Sequence, residues 1–283
     1  IRNLRADILD TNYLFQILRS DLFQKFASNN TSGSNIPAFT QANIANFEID
    51  LPSLEEQENV SKTLNDIDEK IINNTKIVGE LESIAKTLYD YWFLQFEFPH
   101  EEGKPYKSSG GKMVYNVELK REIPEGWKVE NVKSHCKITW GQCPDGANIL
   151  PINTDEDSMP YCSGAGDMRN GLLVDCQAKT NASRRTANIN DILMSVAGSI
   201  GAVCFCDKTI SLGRAAVAFS PKRNEELFTL MSVKSFSDRM KIVSSGSIQK
   251  VVNDNHLNDM NLVFDDEVLM KFSKYNFLLN KMI

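Results

Sequence analysis

From Glu55 to Phe96 apolar side chains recur at alternating spacings of four and three: Val60, Leu64, Ile67, Ile71, Val78, Leu81, Ala85, Leu88 and Trp92, with the polar Asn74 holding one place in the row. That heptad period predicts one long helix whose seam is shaped for another helix, a coiled coil. At 1.5 Å per residue the rod would be about 60 Å long. Ser53 stands where it can cap the start, and Glu55, Glu56 and Glu58 favour the positive end of the helix dipole. Asn74 at a seam position weakens pairing but fixes its register. A second seam of the same spacing runs through Val268, Phe272, Tyr275, Leu279 and Met282.

The stretch between the seams has a different period. Asp191 to Cys206 holds two apolar strands around an Ala-Gly-Ser turn, and Gly198-Ser-Ile-Gly201 is expected to be a tight strand connection. Leu227 to Val243 has helical apolar spacing, followed by a Ser244–Ser247 loop, while Glu101 to Pro124 is a polar connector. The chain also repeats itself at an offset of 213 residues. Leu14-Phe15 aligns with Leu227-Phe228, Phe23 with Phe236, and Ser32-Gly33-Ser34 with Ser245-Gly246-Ser247. In the same register Ile44, Phe47, Ile49 and Leu51 fall on Leu257, Met260, Leu262 and Phe264, which argues for an internal duplication. The expected fold is therefore α+β: a mixed α/β domain joined to a long coiled-coil-forming helix. The order reads as the end of one unit, a rod, a complete second unit and the start of a second rod.

Composition narrows the class. With 42% hydrophobic and 24% charged residues the chain is expected to be globular, and 283 residues suggest about two domains. The net charge of −6 argues against a uniformly basic nucleic-acid coat, yet the charge is uneven. Residues 51–102 carry 12 acidic side chains against 4 lysines, so that segment alone has −8, whereas 133–264 holds 14 basic and 13 acidic residues. A near-neutral domain can still turn its cations to one face. The longest uncharged apolar stretch, 192–206, has 15 residues and is broken by glycines, too short to span a bilayer. The first residue is Ile1 rather than Met, so the numbering is expected to begin inside a longer polypeptide.

The six cysteines, Cys136, Cys143, Cys162, Cys176, Cys204 and Cys206, include no pair of Cys-x2–4-Cys knuckles, so reduced buried thiols are expected rather than a metal site. Such thiols imply a cytoplasmic compartment. There is no phosphate-binding loop, dinucleotide fingerprint or His-Glu-x-x-His, and His100, His135 and His256 are scattered. No catalytic residues are expected.

Several stretches resemble one known family. They are Leu51-Pro-Ser-Leu-Glu-Glu-Gln57 at the rod entrance, Leu88-Tyr-Asp-Tyr-Trp-Phe-Leu-Gln-Phe-Glu-Phe-Pro99 at its exit, Gly103-Lys-Pro-Tyr-Lys-Ser-Ser-Gly-Gly-Lys112, and Ile123-Pro-Glu-Gly-Trp127. Gly141-Gln-Cys-Pro-Asp-Gly146, Asp191-Ile-Leu-Met-Ser195 with Gly198-Ser-Ile-Gly201, and Ser245-Gly-Ser-Ile-Gln-Lys250 follow in the same order. Together they resemble the DNA-specificity (S) subunit of type I restriction–modification systems. The resemblance implies two target-recognition domains, each followed by a conserved helix, the two helices packing antiparallel as a spacer. On this pattern residues 1–52 are the C-terminal part of a first recognition domain, 53–97 the spacer helix, and 98–132 a connector. Residues 133–264 are then the second recognition domain and 265–283 the start of the second helix.

A subunit of this kind would read double-stranded DNA without bond chemistry. Methyltransferase and restriction subunits would supply catalysis, with S-adenosylmethionine, ATP and Mg bound only in those partners. Side chains reading base edges, and Lys or Arg on phosphates, are expected in loops of the second domain. The candidates are Gln142, Tyr161, Arg169, Asn170, Arg184, Arg185, Gln249 and Lys250, with Tyr161 packing on a base or sugar. A homodimer through the long helix would cover the seam. The alternative is a coiled-coil adaptor whose β domain binds protein or carbohydrate. A stand-alone adenine methyltransferase would need a cofactor loop and an Asn/Asp-Pro-Pro-Tyr/Phe motif, which the chain lacks.

Overall fold

The heptad row folds as helix α4, Leu54–Tyr89, and continues into a single π-turn, Asp90–Leu94. The computed structural model of the protein describes residues 5–31, 39–154, 157–168, 172–244 and 251–282. The chain divides into two units, 1–77 and 78–283, so the boundary falls inside α4.

In the first unit α1 (Thr11–Arg19), α2 (Asp21–Asn29) and α3 (Gln41–Ala45) precede the first part of α4. Asp10 caps α1 and Ser20 caps α2, each accepting a backbone N–H that the helix cannot pair itself. Ser53 and Glu56 form the reciprocal cap of α4: the Ser53 N–H donates to Glu56 Oε2 (2.9 Å) and the Glu56 N–H to Ser53 Oγ (3.3 Å). Gln57, fully buried, accepts from the Asp10 N–H (2.9 Å) and donates to the carbonyls of Ile8 (3.0 Å) and Pro52 (2.9 Å). Phe23, Phe26, Phe39 and Phe47 pack as one aromatic cluster, the Phe23 and Phe47 rings lying 5.0 Å apart.

The second unit contains β1 (Met113–Asn116), β2 (Arg121–Pro124), β3 (Lys128–Asn131), α5 (Val132–His135) and β4 (Cys136–Trp140). Then come β5 (Ile149–Pro151), β6 (Met159–Cys162), β7 (Ala178–Thr180), β8 (Thr186–Ala187), β9 (Ile192–Ser195), β10 (Val203–Phe205), β11 (Ile210–Leu212) and β12 (Ala216–Pro221). Helices α6 (Glu226–Ser244) and α7 (Asp254–Leu257), strand β13 (Asn261–Phe264), and helices α8 (Asp266–Ser273) and α9 (Phe277–Met282) complete it. One four-stranded sheet has the order β10-β9-β12-β4, and a five-stranded sheet β5-β7-β6-β11-β8. Strand β13 pairs antiparallel with β3, and β1 pairs antiparallel with β2.

The four-stranded sheet is buried on both faces, and side-chain alternation shows how. Ile192, Met194, Val217 and Phe219 face the larger core with α6, while Leu193, Ala216 and Ala218 face a second core with Ile210, Leu212 and four buried cysteines. The larger core is aromatic where α4 ends: Phe93 is 1% exposed, with the rings of Phe228 at 4.8 Å and Phe272 at 5.0 Å. The fold class is α+β, as the hydrophobic periods of the sequence predict.

Two expectations about the rods need correction. The seam is uncovered only over its first half: Val60, Leu64, Ile67 and Ile71 are exposed, as is Asn74, but Val78, Leu81 and Leu88 pack on the second unit's own core and Ala85 and Trp92 are buried in it. The stretch after Asp265 is α8, a 3-10 turn (Lys274–Asn276) and α9 rather than one straight rod. Its seam residues Val268, Phe272, Leu279 and Met282 are buried in that same core.

The duplication has a local structural counterpart. Thr40 caps α3 in a capping box with Asn43, and Asn253, 213 residues later, caps α7 in a capping box with His256. The copies differ upstream, where Ser20 breaks the first helix in two while α6 runs on.

Candidate nucleic-acid interface

Three loops of the second unit meet at one end of the four-stranded sheet. They are the segment after β4 (141–148), the turn between β11 and β12 (213–215), and the approach to β8 (181–185). Backbone bonds tie them together. The Gly141 N–H donates to Ala216 O (3.0 Å), the Gln142 N–H to Leu212 O (2.9 Å), the Gly213 N–H to Cys162 O (2.8 Å) and the Leu212 N–H to Arg185 O (2.8 Å). The crossing is so tight that glycine is required. A Cβ on Gly141 would lie 2.0 Å from Gly213 O, and one on Gly213 would lie 2.6 Å from the Tyr161 hydroxyl. The Ser183 hydroxyl donates to Ser211 Oγ (2.9 Å) and holds the third loop.

This frame presents polar side chains outward. Gln142, Arg184, Arg185 and Arg214 are exposed. Arg184 Nη2 donates to Asp145 Oδ1 at 3.0 Å, linking the first and third loops by a surface ion pair worth under about 1 kcal/mol. Arg184 and Arg185 also line a groove with Lys137, Thr139 and Trp140, between β4 and β8, the edge strands of the two sheets. Among the described residues the cations Lys137, Arg185 and Arg214 have no carboxylate partner. The acidity of the whole chain therefore coexists with a cationic end.

Of the residues singled out from sequence, Gln142, Arg184 and Arg185 come together here. Tyr161 does not serve as expected: it is 4% exposed, and its hydroxyl donates to Cys143 Sγ (3.4 Å) behind the glycine crossing. Its ring supports the loops and has no face free for a base. Arg169, Asn170, Gln249 and Lys250 lie outside the described residues. Arg214 and Lys137 were missed, although Gly213-Arg214 between Ile210-Ser-Leu212 and the apolar run 215–219 is a legible signal for a cation on a turn.

In a second cavity of this unit charged groups pair with one another. A cavity of about 250 Å³ between the end of α4 and α6 is lined by Glu82, Lys86, Asp90, Lys234 and Asp238, and Lys234 pairs with Glu82 and Lys86 with Asp90. His135 is buried with Nδ1 3.1 Å from Glu225 Oε2. All six cysteines are free, and burial pushes the Cys136, Cys176 and Cys206 thiols up to about 12. No group of three or more His, Cys, Asp or Glu side chains that could hold a metal ion occurs among the described residues. No helix among them is long and apolar enough to cross a membrane.

The sequence profile described as "Type I restriction modification DNA specificity domain" matches residues 1–83 and 124–263. The type I restriction enzyme MjaIX specificity subunit of Methanocaldococcus jannaschii is 31% identical over 131 residues, 46% of this chain and 28% of that protein. The MjaX specificity subunit of the same organism is 24% identical over 262 residues, 90% of this chain and 57% of that one. The chain thus spans about half, or less, of the length of these relatives. The crystal structure of a type I restriction–modification S subunit from M. genitalium shares the fold, with a TM-score of 0.56 at 15% identity over 99% of this chain and 68% of the other.

Proposed function

Because the chain belongs to the type I restriction–modification DNA-specificity family, we propose that its second unit reads a short sequence of double-stranded DNA through the loops around Gly141 and Gly213. One observation carries this reading: a glycine-pinned crossing of strands holds Gln142, Arg185 and Arg214 outward on fixed backbone, with no carboxylate beside either arginine among the described residues. An exposed guanidinium or amide on a rigid turn suits base edges and phosphates alike. The groove between β4 and β8, with Lys137, Arg184 and Arg185, suits a phosphate backbone.

On this reading the chain performs no bond chemistry. It works in the cytoplasm, and methyltransferase and restriction subunits carry S-adenosylmethionine, ATP and Mg. The boundaries follow the family pattern: a first recognition domain ending near residue 52, a spacer helix over 53–97, and a second recognition domain over 133–264. The exposed row Val60, Leu64, Ile67 and Ile71 takes a helix from a second copy of the chain, which brings two reading units into one assembly.

Binding to duplex DNA measured over a salt series tests the proposal. Arg184→Ala and Arg185→Ala should each weaken binding to all sequences alike, and each lost phosphate contact should flatten the log–log salt slope by about 0.9. Wild-type protein without salt-sensitive DNA binding would favour the adaptor reading instead.

A further inference from the structure

We propose that Arg214 reads a guanine, its guanidinium forking onto the O6 and N7 acceptors of that base in the major groove. The proposal rests on the DNA-reading function above and assigns one specificity-determining residue within it.

Arg214 sits at the centre of a three-residue turn secured on both shoulders: the Gly213 N–H donates to Cys162 O (2.8 Å), the Ala216 N–H to Gly213 O (3.0 Å) and the Val196 N–H to Ala215 O (2.8 Å). The close approach of Gly141 to Gly213, and of Gly164 to Ala215, leaves that backbone little room to move. Bidentate readout needs its donors placed to within about 0.5 Å, and a pinned backbone leaves only the side-chain torsions of Arg214 to be ordered on binding. A phosphate contact has no such requirement.

In the second unit Arg184 is paired with Asp145, and Arg223 lies between Glu225 and Asp266. Arg121 stacks on Phe96 at 5.1 Å and Arg239 on Phe236 at 5.8 Å. Among the described residues of this unit only Arg185 and Arg214 are exposed guanidinium groups without a carboxylate or an aromatic face. Arg185 lines the groove beside Lys137, where a backbone would run, and Arg214 does not.

Gln142 is exposed on the segment bonded to the same turn, and its amide matches the N6 and N7 edge of adenine. Cys143 follows it. Partial burial pushes this thiol up, but the Tyr161 hydroxyl, the Arg214 main-chain N–H and the Arg214 charge together outweigh burial and hold it below its ordinary value. It is also the one cysteine of the six that is not buried, so it reports occupancy of the turn.

The test is selection of duplexes from a randomised pool by the full chain, as wild type, Arg214→Ala and Arg214→Lys. The expected result is loss of preference for guanine at one position by about 5- to 150-fold in both variants, with other positions and the salt slope unchanged. Lysine keeps the charge but not the fork, and it decides the matter if the alanine variant melts early. A selected duplex should also slow labelling of Cys143 by a disulfide reagent. Unchanged guanine preference, a uniform loss with a flatter salt slope, or Cys143 labelled equally fast in saturating selected DNA would each overturn the assignment to Arg214. If the wild-type chain selects no sequence at all, the DNA-reading function itself fails and the assignment falls with it.

Discussion

Gly141→Ala puts one methyl group into the tightest contact of the end where the three loops meet. An ideal Cβ there lies 2.0 Å from Gly213 O and 2.7 Å from Gly213 C, both backbone atoms. The carbonyl cannot simply retreat, because it accepts the Ala216 N–H at the start of β12 (3.0 Å). Either the strands separate or that bond breaks. Forced overpacking costs about 1–3 kcal/mol, and a lost backbone hydrogen bond adds roughly 1 kcal/mol. The sum, about 2–4 kcal/mol, corresponds to a fall in melting temperature of roughly 5–15 °C for a unit of this size. Gly213→Ala should be milder, about 1–3 kcal/mol, because the nearest atom, 2.6 Å away, is the tip of Tyr161, with the Cys162 carbonyl next at 2.8 Å. Gly146→Ala is the control: no atom lies within 4 Å of its Cβ, so its effect should stay within about 0.5 kcal/mol. Calorimetric scans of the three variants should rank Gly141→Ala lowest, then Gly213→Ala, with Gly146→Ala at wild type. A Gly141→Ala protein that melts with the Gly146→Ala control would refute the claim that this crossing holds the loops.

Further outcomes follow from other parts of the molecule. Ile67→Glu with Ile71→Glu should convert a self-associating chain to a monomer in sedimentation at micromolar concentration, and a wild-type monomer would defeat the homodimer; Asn74→Leu should raise stability while loosening register. The hydrogen bond from Lys133 holds the Asp254 carboxyl below the usual carboxylate range. Its contribution is therefore complete above the unfolded value of about 3.9 and lost as pH falls through the lower folded one. Melting curves of wild type and Asp254→Asn should accordingly differ at neutral pH and converge in acid. The purified chain alone should turn over no S-adenosylmethionine, which a radiolabel-transfer assay checks directly.

The elements built on local physics were legible in the sequence. Helix α4, its Ser53 cap, α6 and the β9–β10 pair all follow from period and turn chemistry. The repeat was legible in its common register as well, whereas the two capping boxes that mark it emerge only from the structure. What the sequence hid depends on contacts between distant residues. The second half of the α4 seam is covered because Tyr89 meets Phe228, 139 positions away, and no heptad count shows which side chains will arrive there. Tyr161 reads as a surface aromatic until Gly213 is seen to pack against its hydroxyl. Arg214 is indistinguishable by composition from Arg184; only the fold shows that one has a carboxylate beside it and the other has none among the described residues.

The π-turn at Asp90–Leu94 makes the end of α4 sensitive to chain length. Closing one turn over an extra residue lets Trp92 and Phe93, adjacent in sequence, both point inward, and Phe96 and Phe98 follow them into buried positions. A π-turn amounts to an α-helix carrying one additional residue. Deleting a single residue there, even the exposed Tyr91, would restore the α period and swing everything beyond it by about 100° around the axis. Four aromatic rings would then leave their places at once. Insertions and deletions should therefore be lethal to folding at this junction while substitutions at Tyr91 or Leu94 pass almost unnoticed, a frameshift sensitivity written in three dimensions rather than in codons.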